Sequence, residues 1–202
     1  MKKILLSLVT LLAVGSIAAR ATTAYFSDTE TSTGNTFSAG SLDLTVDGKN
    51  GENVIKWTLT NLRPGNQPLG RYTLNNSGSV NGYLNLSKIA LTSQENECLE
   101  PETGDPTCGA TDPGELQDVL GFTLFWDNDC NNWVGTGDVK IYDGLLANVP
   151  ASISVNRPLN AGASQCLSAQ FNWWNTPIDN LAMSDGVTLD LEFDLTQNEI
   201  TP

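Results

Sequence analysis

The oxygen-bearing side chains that most resemble a built site lie together at Asp127, Asp129 and Asn131, with Asp138 eleven residues beyond the first. These are positions 1, 3, 5 and 12 of a calcium loop, in which carboxylates and amides wrap a hard cation. Position 6, where such loops turn on a glycine, is Asn132 instead. An Asx-rich turn, in which the same side chains bond their own backbone, is the competing reading. The chain has no histidine, so a zinc site of the H-E-x-x-H kind and the Ser-His-Asp and Cys-His nucleophile pairs have nothing to build on. Paired carboxylates could in principle act on glycosides, but Asp190, Glu192 and Asp194 alternate along one segment as the solvent face of a strand would. No catalytic residue is therefore expected.

Four cysteines, Cys98, Cys108, Cys130 and Cys166, read as two disulfides in an exported chain. Of the three connectivities, Cys98–Cys108 would staple a polar loop and Cys130–Cys166 would tie two strand ends. Zinc is the rival, although no C-x-x-C spacing supports it. Asn75 and Asn85 open glycosylation sequons, which matter only in a host that glycosylates. Among the tryptophans, Trp126 and Trp173 sit at core phase of their strands, leaving Trp133 and Trp174 as candidates for an exposed aromatic platform that binds carbohydrate.

Export itself is argued by the first residues. Lys2 and Lys3 precede an apolar run from Ile4 to Ala19, the pattern of a secretion signal and shorter than the roughly 20 residues of a comfortable membrane span. Cleavage is expected after Ala24, with an uncleaved anchor as the alternative. Loss of Lys2, Lys3 and Arg20 takes the net charge from −13 to −16. With no basic cluster after Tyr25, nucleic acid is disfavoured as a partner. The membrane enters only during export.

The rest of the chain alternates with period 2, the signature of half-buried strands. Val187 to Leu195 is the clearest run, followed by Leu120 to Trp126, Leu167 to Trp173 and Ile55 to Leu59. Shorter runs lie at Leu42 to Val46, Arg71 to Leu74, Tyr83 to Leu86, Val139 to Ile141 and Ile153 to Val155. Arg63 to Asn66 and Asn76 to Ser79 read as turns. Gln94 to Pro113 reads as a loop, and Gly114 to Val119 as a single helical turn. Eight or nine such strands with no long amphipathic helix predict an all-β, antiparallel jelly-roll sandwich.

One segment fits no core. Tyr25, Phe26, Ser27, Asp28, Thr29, Glu30, Thr31, Ser32, Thr33, Gly34 and Asn35 favour an extended backbone but carry nothing apolar after Phe26. Fully extended, residues 25–36 reach roughly 40 Å, enough to cross to a neighbouring molecule. A frayed terminus is the alternative.

Ala21 to Leu44 resembles the opening of the TasA/camelysin family of secreted proteins, which are processed by a SipW-type signal peptidase. A T-x-A-like site ends at Ala24, then come Phe26, Ser27 and Asp28, a Thr/Ser stretch, and an N-x-F-x-A-G-x-L-D-L run from Asn35 to Leu44. Leu59 to Gln67 and Asn75 to Ser79 are similar to further family segments. The likeness thins through the cysteine loop and returns weakly in the final strand. It implies a jelly-roll subunit of a biofilm matrix or bundling pilus, in which residues 25–36 complete the next copy's sheet. The partners so implied are further copies, head to tail, and neighbouring filaments in bundles. The organisation expected is a signal over 1–24, a donor over 25–36 and one domain over 37–202. Some camelysin relatives are classed as metallopeptidases, a role at odds with a chain lacking histidine. The four cysteines and scarcity of lysine depart from the better-known bacterial members.

Overall fold

A computed structural model describes residues 39–51, 62–96, 102 and 113–200. The expected signal, the donor segment Tyr25 to Asn35, the run Ile55 to Leu59, and Cys98 and Cys108 lie outside them. Eight described strands form two antiparallel sheets: β1 (Leu44–Val46), β2 (Leu69–Asn76), β3 (Gly82–Gln94), β4 (Leu120–Asp127), β5 (Val139–Leu145), β6 (Ile153–Leu159), β7 (Ser164–Trp173) and β8 (Gly186–Thr196). One sheet runs β1-β2-β7-β4-β5 and the other β6-β3-β8. The all-β class expected from the periodicity is what the chain adopts. The one described α-helix, α1 (Leu116–Val119), is the predicted single turn.

Both sheets feed one core. Inward rows such as Leu74 of β2, Leu84 and Leu86 of β3, Phe122, Leu124 and Trp126 of β4, and Leu167, Ala169 and Phe171 of β7 are buried in it. Tyr72 of β2 meets Phe193 of β8 edge to face at 5.4 Å, so the sheets touch through aromatic rings. In β2, β3, β4 and β7 alternation therefore does what it implies: one row turns inward and the other is left for solvent or a covering loop.

The third strand is longer than its apolar pattern indicates, and the reason is a bulge. Leu86 pairs with Phe193 and Lys88 with Glu192, so Ser87 is an extra residue on β3. One inserted residue reverses which side faces the core. Inward positions are even-numbered up to Leu86 and odd-numbered from Ile89, which breaks the period-2 reading at Leu86 while the strand continues to Gln94.

The turns predicted at Arg63 to Asn66 and at Asn76 to Ser79 both form. In the second, buried Asn76 donates to the carbonyls of Val80 and Leu159 and accepts from Gly78 N–H. A Cβ on Gly78 would lie 2.3 Å from the Ser41 carbonyl. Glycine there lets the beginning of the domain lie against this turn, where Ser79 and Val80 both donate to Ser41 O.

Candidate functional site

The loop between β4 and β5 folds back across the outer side of the larger sheet. Cys130 is bonded to Cys166 at the start of β7, with Cα atoms 5.6 Å apart, so the predicted pairing of these two cysteines forms. Arg71 of β2 donates to the Cys130 carbonyl, and Gln170 of β7 donates to the Asn132 carbonyl at 2.9 Å. Three outward positions of neighbouring strands thus hold the loop. The cysteine pairing was expected, whereas the roles of Arg71 and Gln170 were not.

Asp127, at the end of β4, organises the turn. Its carboxylate is buried and accepts from Ser168 Oγ at 2.7 Å, Asn132 N–H at 2.8 Å and Asn131 N–H at 3.2 Å. Burial works to raise its pKa, but these bonds, with a further one to Asp129, outweigh burial and hold it below the ordinary carboxylate value. Asp138 closes the loop from the other end, accepting from Asn128 N–H and Gly135 N–H, each at 2.8 Å. Asn131 donates its side-chain amide to Asp129 at 2.7 Å and accepts from Trp133 N–H at 2.6 Å.

The calcium-loop spacing does bring residues together. Asp127, Asp129 and Asp138 each place a carboxylate oxygen within 4.8 Å of the others. Asn132 also takes a left-handed backbone, φ 70°, the conformation that a glycine at position 6 would supply and that asparagine tolerates. The hydrogen bonding, however, is that of Asx turns: the carboxylates of Asp127 and Asp138 are engaged by the loop's own N–H groups. A second carboxylate group, Glu95, Glu115 and Asp185, gathers at the other end of β4. There Asp185 accepts from the N–H groups of Glu115 and Leu116 at the start of α1.

The remaining site residues divide clearly. Trp126 and Trp173 are in the core, whereas Trp133 is 54 % and Trp174 58 % exposed. The six-membered ring of Trp174 lies against Gly121, where a Cβ would come within 2.7 Å of it. Asn85 is a correction: its side chain is 2 % exposed and exchanges hydrogen bonds with Asn156, so the folded domain has no room for a glycan there. Asn75 is half-buried on β2. The sequence reading missed Asn156, whose amide pairs with both N–H and C=O of Ile200 and clips the chain after β8 onto β6. Its left-handed backbone, φ 44°, was foreshadowed only by an asparagine interrupting an apolar run.

The profile of the camelysin metallo-endopeptidase family matches residues 1–105. No curated protein sequence matches the chain. The metal in that family description finds no fitting ligands among the described residues. Both clusters offer carboxylate oxygens alone, with none of the imidazole that hydrolytic zinc sites use, and Asp127, Asp138 and Asp185 already bind backbone donors.

Proposed function

The chain belongs to the camelysin metallo-endopeptidase family, and from that premise we propose that it is a secreted structural subunit polymerising into extracellular filaments by donor-strand exchange. Residues 1–24 are the signal, 25–36 the donated strand and 37–202 a single jelly-roll domain. The strand order supports the jelly roll: the series β2-β7-β4-β5 and β8-β3-β6 interleave as two Greek keys do.

The observation that carries the filament reading is where the domain begins. Ser41 and Asp43 are tied to the turn at Ser77 to Val80, and β1, three residues long, is the edge of its sheet. The polar segment 25–36 therefore precedes, in sequence, a strand at a sheet margin. Pairing such a segment with another copy's edge is β-augmentation, and repeated head to tail it yields an open filament. Family membership here carries the scaffold rather than peptidase chemistry, because the histidines of such a site are missing. Electron microscopy of negatively stained mature protein, with and without residues 25–36, tests the proposal. Filaments are expected only from the longer chain; filaments from both would overturn strand donation.

A second reading rests on the exposed pair Trp133 and Trp174, since exposed aromatic faces suit sugar rings. Glycan binding by a chain that stays monomeric at every concentration would favour it.

A further inference from the structure

Strand donation requires an acceptor edge, and the four described edges differ in how open they are. β1 has three residues. β6 contains Pro158, which lacks an N–H, and Asn156, whose side chain already pairs with the chain at Ile200; proline and irregular backbone are standard protection for an edge. β8 turns Thr188, Asp190 and Glu192 to solvent, so a donor carrying Asp28 and Glu30 would meet like charge.

β5 is different. It runs seven residues and pairs with β4 on one side, with no partner on the other among the described residues. Val139 is 47 % and Leu145 39 % exposed, and Ile141 and Tyr142 are half-buried beside them. Its two charges cancel: Lys140 bonds Asp143 at 2.6 Å, and Asp143 also accepts from Thr123 at 2.8 Å. The strand is guarded only by that lysine and by a one-residue irregularity at Ile141.

From these edges we infer that β5 is the acceptor and that its occupant is Tyr25 to Asn35 of a second copy. The inference rests on the filament reading above and adds the place of attachment. The strand order suits a neighbouring copy as the donor. The described chain enters the larger sheet at β1, whereas β5 is the opposite margin, with β2, β7 and β4 between. Four strand spacings separate the two, roughly 19 Å. A copy that emits its strand at one margin and receives one at the other continues a single sheet from subunit to subunit. That contact is heterologous and does not close on itself. The eleven donor residues exceed the seven of the acceptor, leaving length for the crossing.

Amide hydrogen exchange on the mature chain, as dilute monomer and as filament, tests this. Amides of Val139 to Leu145 are expected to slow by roughly tenfold or more on assembly. Protection of another edge instead, with filaments present, overturns β5 as acceptor and leaves strand donation standing. Equal protection of β5 in the dilute monomer overturns the two-copy arrangement. Absence of filaments under every condition overturns the underlying reading together with this one. The exposed substitution Val139→Lys, which should leave the melting temperature unchanged, is expected to slow elongation by about tenfold through edge repulsion; unimpaired growth would count against the assignment.

Discussion

Two neighbouring strands of the same sheet, β4 and β5, share one hydrogen-bonded ladder and have opposite surroundings. Every residue of β4 is buried: one row lies in the core, and the other is covered by Trp174 at Gly121, by Asp143 at Thr123 and by the loop that Asp127 organises. β5 has no buried residue at all. The contrast separates two properties that a domain must hold at once. Stability is concentrated where both faces of a strand are covered, and β5 adds to that cover only through contacts toward β4 such as Tyr142 on Phe122 and Asp143 on Thr123, which leave its outer edge open. Substitutions in β4 and its cover should therefore report on folding, and those in β5 on assembly.

The largest effect is expected from Leu124→Ala at the centre of β4. Removing that buried side chain leaves a cavity worth about 2–5 kcal/mol, read as a fall in the urea midpoint. A loss no greater than that from Val139→Lys would dissolve the distinction between the strands. Next comes the loop cover. Replacing Cys130 and Cys166 together by serine frees a 36-residue separation and is expected to cost about 2–4 kcal/mol, again by denaturant unfolding.

Asp127→Ala should follow, at about 1–3 kcal/mol, because Ser168 Oγ and the N–H groups of Asn131 and Asn132 lose their acceptor. The same carboxylate gives a pH signature. Its folded pKa lies below the ordinary value, so its contribution is complete above the unfolded pKa of about 4 and disappears as pH falls through the folded one. Melting temperature should drop on acidification below about pH 4, and the Asp127→Asn chain should show a shallower drop. An equal slope would remove Asp127 from the account. Calcium should leave the melting temperature of the native chain unshifted, because the loop's own N–H groups already engage Asp127 and Asp138; a rise on titration would show that the ion displaces them.

How much of this was legible in the sequence follows from which interactions are local. Period 2 identified the strands because burial of one row is written into each strand separately, and Leu120 to Trp126 and Val187 to Leu195 were read almost to their ends. The same rule stopped at Leu86, where Ser87 shifts the phase and only the partner strand reveals that pairing continues. For the loop, the spacing Asp127, Asp129, Asn131 and Asp138 was visible. What anchors the loop to the sheet was not, since Ser168, which bonds Asp127, and Arg71 and Gln170, which bond the carbonyls of Cys130 and Asn132, come from strands distant in the chain. Trp133 and Trp174 were separated correctly from Trp126 and Trp173 because phase within a strand decides exposure. The openness of β5 was illegible: it is a property of sheet order, and sheet order depends on how all the strands are arranged.

The smallest stability effect is expected at the seam between the two strands. Trp174 is exposed on one side and lies against Gly121 on the other, and Gly121 pairs with Leu145 of β5, which places the indole beside the junction of covered and open sheet. Trp174→Ala should change stability by no more than about 0.5 kcal/mol, as surface substitutions do, if Gly121 already packs adequately without the ring. A loss of several times that would show that the indole, which covers Gly121, stabilises β4 as the loop does. Filament growth separates the remaining readings. Growth unchanged by Trp174→Ala, together with loss of binding to a neutral polysaccharide, would assign the exposed ring to sugar, whereas slowed growth would extend the β5 docking surface across the seam to Gly121.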